Sequence, residues 1–577
     1  PMAFQVSPGV LVQERDLTSI IPAVSTSIGA VAGQFTKGPL DEIVSISSEQ
    51  ELVETFGKPD VNNFEYFFSA ANFLQYSNTL RVVRANQTSQ VNASTSGTGV
   101  LVKNTEDWTN NYASGGAAGN ATFVAREAGA YGNTLLVATC PNAAAFEEEG
   151  ATTVNDASTT VGDTAITVTA GTDLNVGDVI SFSTTAATND YDDGEQYRVT
   201  NISTNDLTIV QHPRGSGGLK RTITDGANVR RRWRYYDAVD GAPGTSDWTS
   251  TRSGANDEIH IVVVDEDGSI SGVPGQILET YSKVSKASDA KTPQGDDNYY
   301  PNVIYTKSRY IWWTKHHSSG SNWGNAASGT TFTAVDTPSN ESLSGGSDGS
   351  AVTTGQLKTA YDKFADSETV DVGLIISGKC DSTHVENLIT IAEARKDCVV
   401  FASPERADVV NVTNANTQKD NVIDFYSSIS SSSYVFFDSG YKYMYDRYND
   451  VYRYVPLNGD MAGLAARTDL IADSWFSPAG FNRGVVRGAV KLAFNPTKTQ
   501  RDELYPKRIN PVATFPGQGT VLFGDKTGLA SPSAFDRINV RRLFITLEKA
   551  IATASKFQLF EFNDEFTRAN FRNIVEP

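Results

Sequence analysis

The chain has 577 residues, long enough for about three or four domains, and 39% of them are hydrophobic, enough for several cores. Its net charge of −19 excludes a protein whose whole surface grips nucleic acid, because phosphate contacts need clustered Lys and Arg. Three cysteines, Cys140, Cys380 and Cys398, argue against a disulfide framework and fit a reducing compartment, and no run approaches the ~20 apolar residues of a membrane span.

In chain order, "SPGVLVQERD" comes first. Val10, Leu11 and Val12 favour a strand, and Ser7-Pro8-Gly9 stops it from extending backwards. A polar stretch and Pro22 separate it from the next element, so it is a lone strand with unpaired backbone groups. Residues 24–85 read as α/β. A strand is expected around Ile28–Gly33, ended by Gly38-Pro39. "SSEQELVETFGKP" is a punctuated helix, with capping-box spacing at Ser48 and Glu51, Gly57 at its end and Pro59 beyond. "NFEYFFSAANFLQYSN" is a second helix and "TLRVVRA" a strand.

From about 86 to 345 the chain is rich in Thr, Ser, Asn, Asp and Gly. Within it, four short alternating runs between 151 and 226 ("DTAITVTA", "GDVISFST", "EQYRVTNI", "NDLTIVQH") read as a small antiparallel sandwich or barrel. "NTLLVATC" and "DEIHIVVVDEDGSISG" flank it as pieces of another β unit. After "LSGGSDG" helices alternate with the apolar runs "VDVGLIIS", "CVVFASP" and "SYVFFDSG", the pattern of a mainly parallel, covered sheet. Further helices are expected at "DMAGLAARTDLIADSW", "FNRGVVRGAVKLAF", "KTQRDELYPKRI" and "INVRRLFITLEKAIATASKFQLF". The fold class is therefore α/β and β multidomain, an α/β core with nested β-rich insertions. The expected division is 1–23; 24–85 with 346–515; 86–150 with 227–345; 151–226; and 516–577.

Sites for chemistry are sparse. "GTVLFGDKT" resembles a phosphate loop, but Asp525 stands where the pattern wants Lys, so a Gly-rich turn is the better reading. "SGGSDG" reads as a tight connection. "VRRRWRYY" reads as Arg alternating with aromatics on a half-buried strand, not as a base-stacking surface. His316 and His317, adjacent on a strand, would point to opposite faces and not share a metal. Asp190, Asp192 and Asp193 read as a solvated loop. No catalytic, metal or cofactor site is expected. Were the α/β core an enzyme, the loops after Ile376, Ser403 and Asp438 would carry it, with Cys380, Asp381, Glu405 and Tyr441. Charge is uneven: residues 481–577 hold 15 Lys and Arg against 9 Asp and Glu, a net of +6, leaving −25 on the rest.

"SPGVLVQERD", "STSIGAVAGQFTKGP", "LVETFGKP", "FFSAANFLQYSNTLRVVRA", "AREAGAYGN", "LSGGSDG", "YNDVYRYVPLNGDMAGLAARTD", "SWFSPAGFNRG", "QRDELYPKRINPV", "GDKT" and "SAFDRINVRRLFITLEKAI" resemble contractile tail sheath proteins of T-even-like myophages. The resemblance covers 1–85 and 343–577, and reaches the middle only in position and short pieces. It implies a structural subunit with no active site or cofactor. In that family, copies stack as six-membered rings around a tail tube and contract to drive the tube through the host envelope for genome delivery. The implied partners are further copies of the chain, the tail tube, baseplate and tail terminator proteins, with no nucleic acid and no membrane insertion. The implied place is the virion, assembled in host cytoplasm. Val10, Leu11, Val12 and Gln13 would be an arm adding a strand to a neighbouring copy's sheet. The basic carboxy-terminal region would lie against an acidic tube, with Arg541 and Arg542 as candidates. The family continues beyond "FTRANFRN", so 516–577 is expected to be incomplete and this form to polymerise poorly. Another self-assembling or adhesive virion protein is the alternative.

Overall fold

The computed structural model describes residues 26–575. The run Val10–Gln13 lies outside the described residues, as does the expected segment 1–23. The chain divides into two compact units. One comprises the described residues up to Phe35, Asp41–Asn86 and those from Val352 onward. The other comprises Thr36–Leu40 and Gln87–Ala351.

The first unit is built on a seven-stranded sheet in the order Ile43–Ile46, Leu80–Arg84, Gly29–Gly33, Leu374–Ile376, Val399–Ala402, Val435–Asp438, Ile509–Asn510. All neighbours are parallel except the first pair, which is antiparallel. The central strands are buried along their length, which is why they read as unbroken apolar runs. Helix Glu49–Phe56 starts as expected: Ser48 Oγ accepts from Glu51 N–H at 3.2 Å. The Glu51 carboxylate reaches back one residue further than a capping box requires, to Ser47 N–H at 2.8 Å. Gly57, at φ 84°, closes the helix.

Helices Phe64–Leu74 and Asn458–Ile471 pack closely because glycines remove the side chains between them. A Cβ at Gly459 would stand 2.1 Å from Ser69 O, and one at Gly463 would stand 2.4 Å from the Tyr76 ring.

Three features of this unit differ from the sequence reading. "FNRGVVRGAVKLAF" is not a helix. Gly488 takes φ +65°, and the segment alternates as an extended chain, with Val485 bridging Val521 and Lys491–Leu492 pairing with Tyr441–Asp446. The helix expected over "KTQRDELYPKRI" ends at Leu504; a 3₁₀ turn at Tyr505–Lys507 follows, and Ile509–Asn510 joins the sheet as its edge. Pro506 has no N–H to continue the helix. The hairpin Tyr441–Asp446 with Val451–Pro456 carries no expectation from the sequence.

The second unit holds a four-stranded antiparallel sheet, Gln276–Ser285, Glu258–Asp265, Leu135–Cys140, Ser339–Ser342. It also holds a six-stranded sheet, Glu147–Thr153, Ala227–Arg232, Val179–Ala186, Gln196–Ser203, Asp206–His212, Ala165–Thr167. The six-stranded sheet draws strands from either side of residues 151 and 226. Its core contains Val154, Ile166, Phe182, Tyr197, Ile209 and Val229. It is no closed barrel: its two edges meet only around the bridge Val154–Val168.

Candidate assembly surface

The groups that would carry catalysis are occupied as structure. At the carboxyl ends of the parallel strands, Asp381 caps helix Ser382–Arg395 by accepting from His384 N–H at 2.7 Å. Glu405 caps Arg406–Val409, and Tyr441 donates to Glu65 at 3.2 Å. Cys380 Sγ donates to Ser403 O at 2.9 Å. Burial pushes the Cys380 thiol up to about 12 and the His384 imidazole down to about 4, so the pair offers neither thiolate nor imidazolium near neutrality.

Other motifs resolve similarly. Asp525 pairs with Arg537 and accepts from Tyr505 at 3.0 Å. The "SGGSDG" segment is tied by backbone bonds from Ser344 to Ser94 and from Ser347 to Val91. In "VRRRWRYY" the strand ends at Arg232; Arg230 pairs with Asp193, Arg231 with Glu148 and Arg232 with Glu147. His316 and His317 follow the strand Ile311–Trp313 and are not on it. Tyr299 and Tyr300 hydroxyls hold both His316 nitrogens, at 3.2 and 2.5 Å. Among the described residues no group of three His, Cys, Asp or Glu is placed to hold a metal ion.

The first unit also exposes apolar surface. The hairpin Val512–Phe515 with Gly519–Leu522 buries Val512, Ala513, Val521 and Leu522. The Phe481, Phe515 and Phe523 rings cluster beside it, 5.2–5.8 Å apart, under the Arg501 guanidinium. Phe481 and Phe523 are nonetheless 45% and 43% exposed. Among the described residues, no further strand pairs with Val512–Phe515.

The long helix Ile538–Lys556 has two apolar stripes. Ile538 and Ile545 face the core. Phe544, Leu547 and Ile551, spaced three and four apart, form a second stripe that is 37–46% exposed. Beyond the helix, Phe557, Phe560, Phe562 and Phe566 are all strongly exposed. Ser474 and Thr546 hydroxyls, 2.7 Å apart, pin the helix beside exposed Leu470, Ile471 and Trp475.

Arg541 and Arg542 lie on the inward side of this helix and are buried. The Arg542 guanidinium donates to both Asp469 oxygens, at 2.6 and 2.7 Å, and to Ala465 O. Arg541 donates to Tyr434 OH at 2.9 Å and lies 4.0 Å from the Phe535 ring centre. They anchor the helix and offer no charge to an outside surface, so their assignment to a tube-facing patch does not fit their position. The sequence signal that could have found the exposed stripe was its spacing, at Phe544, Leu547 and Ile551.

Known proteins match this chain along nearly its whole length. The family description "Phage tail sheath protein central domain" matches residues 350–528, and "Tail sheath protein Gp18 domain III N-terminal region" matches 26–85. The chain is 33% identical to the tail sheath protein of Enterobacteria phage T4, over 98% of this chain and 88% of that one. It is 31% identical to the tail sheath protein of Vibrio phage KVP40, over 99% and 90%. The chain belongs to the phage tail sheath protein family. Among solved structures, a sheath tail protein from Desulfitobacterium hafniense aligns with 98% of this sheath protein and 86% of that chain, at 10% identity and a TM-score of 0.43. As a member of the family, this sheath protein is a structural component of a bacteriophage tail. Both family matches fall almost entirely in the first unit, and both end before the helix Ile538–Lys556.

Proposed function

We propose that this sheath protein polymerises as stacked six-membered rings around a tail tube and contracts to drive the tube through the host envelope. The observation that carries this reading is the second apolar stripe of helix Ile538–Lys556 with the phenylalanines that follow it. A folded chain gains by covering such a surface, and large contiguous apolar patches mark interaction sites. The partners are other copies of the chain, the tail tube, the baseplate and the tail terminator. Val10–Gln13 acts as an arm that adds a strand to a neighbouring copy, where main-chain bonds give affinity and alternate side chains give register. Contraction draws on energy stored during assembly in the host cytoplasm, with no cofactor and no enzymatic step. Residues 24–85 with 346–515 form the core domain, 516–577 an inner domain, and 86–345 a decoration with 151–226 nested in it.

Co-expression with the tail tube protein, followed by electron microscopy and sedimentation, tests this reading. Tube-dependent association is expected, as short or partial helical arrays. The triple variant Phe544→Ser/Leu547→Ser/Ile551→Ser is expected to stay monomeric with unchanged melting. Arrays that survive the triple substitution, or a wild-type chain that ignores the tube, would overturn the reading.

A further inference from the structure

In the Gln87–Ala351 unit a cavity of about 730 Å³ opens between the one-turn helix Asp247–Ser250, the edge strand Gln276–Ser285 and the loop 291–298. Its walls are fixed from behind. Asp257, fully buried, accepts from Ser246 N–H and Oγ–H, both at 2.8 Å, and from Ser285 Oγ–H at 2.5 Å. One carboxylate therefore ties the helix to the edge strand. Arg252 stands over the Trp248 indole, its guanidinium carbon 3.4 Å from the ring centre. Nη1 is held by Trp248 O at 2.9 Å, while Nε and Nη2 make no hydrogen bond among the described residues.

The edge strand reaches the cavity at Lys283, which has φ +52°. Pairing with the neighbouring strand slips there: Ile259 faces Val284, but Ile261 faces Tyr281. Lys283 N–H donates instead to His260 Nδ1, at 2.9 Å. A bulge of this kind bends a strand and re-aims a side chain. A lysine in the left-handed region is strained and persists only where its surroundings enforce it. Lys291 comes from the opposing loop.

Arg252, Lys283 and Lys291 thus line one cavity, and none forms a salt bridge among the described residues. Two carboxylates share the lining, Asp247 and Glu258, and Glu258 already accepts from Gly244 N–H at 2.8 Å. The rest of the polar lining is neutral and includes Ser246, Ser282, Thr292, Gln294 and Asn298. Cations converging on one concavity raise the local concentration of an anion. Hydroxyls and amides around them suit a ligand rich in hydroxyl groups. We propose that this cavity binds an acidic saccharide, a sugar ring carrying a carboxylate or a phosphate. The anionic group meets Lys283, Lys291 and the free edge of Arg252, and the ring hydroxyls meet the Ser, Thr and amide side chains.

Titration calorimetry of the full chain with four probes tests this: glucuronate, glucose 6-phosphate, glucose and inorganic phosphate. Glucuronate or glucose 6-phosphate should bind at least tenfold more tightly than both glucose and inorganic phosphate, and the stronger of the two identifies the anionic group. Lys283→Gln/Lys291→Gln should weaken that binding at least tenfold with an unchanged melting curve. Three results would overturn the proposal: no binding of either acidic sugar, equal binding of glucose or bare phosphate, or full retention in the folded double variant.

Discussion

Lys442 and Asp460 are both fully buried, with Nζ 2.9 Å from Oδ1. Tyr76 OH donates to the same carboxylate oxygen at 3.0 Å and accepts from Arg487 N–H at 2.7 Å. Removing one member of a buried pair leaves the other charge uncompensated, so Asp460→Ala should cost the first unit about 3–5 kcal/mol, read from its urea transition. Changing both members, Lys442→Met/Asp460→Leu, should cost less than the sum of the single changes. His384 makes a pH-dependent contribution. Its Nε2 must carry the proton, because its partner 3.2 Å away is the Ser377 carbonyl, and its buried Nδ1 has no partner. Burial holds its folded-state value near 4, below the ordinary 6.5, so the unfolded chain binds the extra proton first as the pH falls. Its stabilising effect is present above pH 6.5 and is lost on acidification toward pH 4, by on the order of 3 kcal/mol. Buried Glu65 and Asp438, whose values burial raises, act in the opposite direction. The test is therefore the difference between wild type and His384→Gln across pH 4–7, which should shrink on acidification; a constant difference would contradict the assignment.

Arg231 shows how one side chain fixes an element. Fully buried on the strand Ala227–Arg232, it donates to Asp173 O, Ala144 O, Asp336 O and the Glu148 carboxylate at 2.8–3.2 Å. Nη1 serves Asp173 O while Nη2 is shared among the other three acceptors, so the bonds need two nitrogens held apart, which a single ammonium cannot supply. Arg231→Lys should therefore destabilise the second unit by about 2 kcal/mol or more in thermal or urea melting. In the sequence this residue was legible only as one member of an Arg–aromatic alternation, since its acceptors lie up to 105 residues away. The same limit explains the other misses. Central strands such as Val399–Ala402 announced themselves because both faces are covered, so every residue is apolar. The edges Ile43–Ile46 and Ile509–Asn510 are short, and only their partners define them. The segment 481–494 has enough Val, Ala and Leu for a helix, but its glycines and its pairing with Tyr441–Asp446 win. Arg541 and Arg542 read as surface charge because Tyr434 and Asp469, which hold them, are distant in sequence. The apolar stripe Phe544–Leu547–Ile551 was legible as helix periodicity, but not as the side left uncovered.

The two units have separate hydrophobic cores. One spans both parts of the first unit, from Ala30 to Ile545, and the others lie within 93–343. The ends of the second unit meet: Gln87 Nε2 donates to Ser350 O at 2.6 Å, and Ser350 N–H to Thr88 O at 3.0 Å. An insertion whose ends lie together can be removed without stretching the chain that receives it. Replacing residues 88–350 by a short Gly-Ser linker should therefore leave a folded first unit. One compensation is needed, because Leu40 belongs to the second unit and is fully buried, with its N–H bonded to Lys103 O at 2.8 Å; Leu40→Ser keeps it from being left as exposed apolar surface. Calorimetry of the intact chain should resolve two transitions, and the excised chain should keep one of them, within about 4 °C. The candidate assembly elements, the hairpin at 512–522 and the helix Ile538–Lys556, both belong to the first unit. The excised chain should consequently still assemble with tube protein wherever the intact chain does. A folded excised chain that failed to assemble would move the subunit interface onto the inserted unit, and with it the role of the exposed phenylalanines.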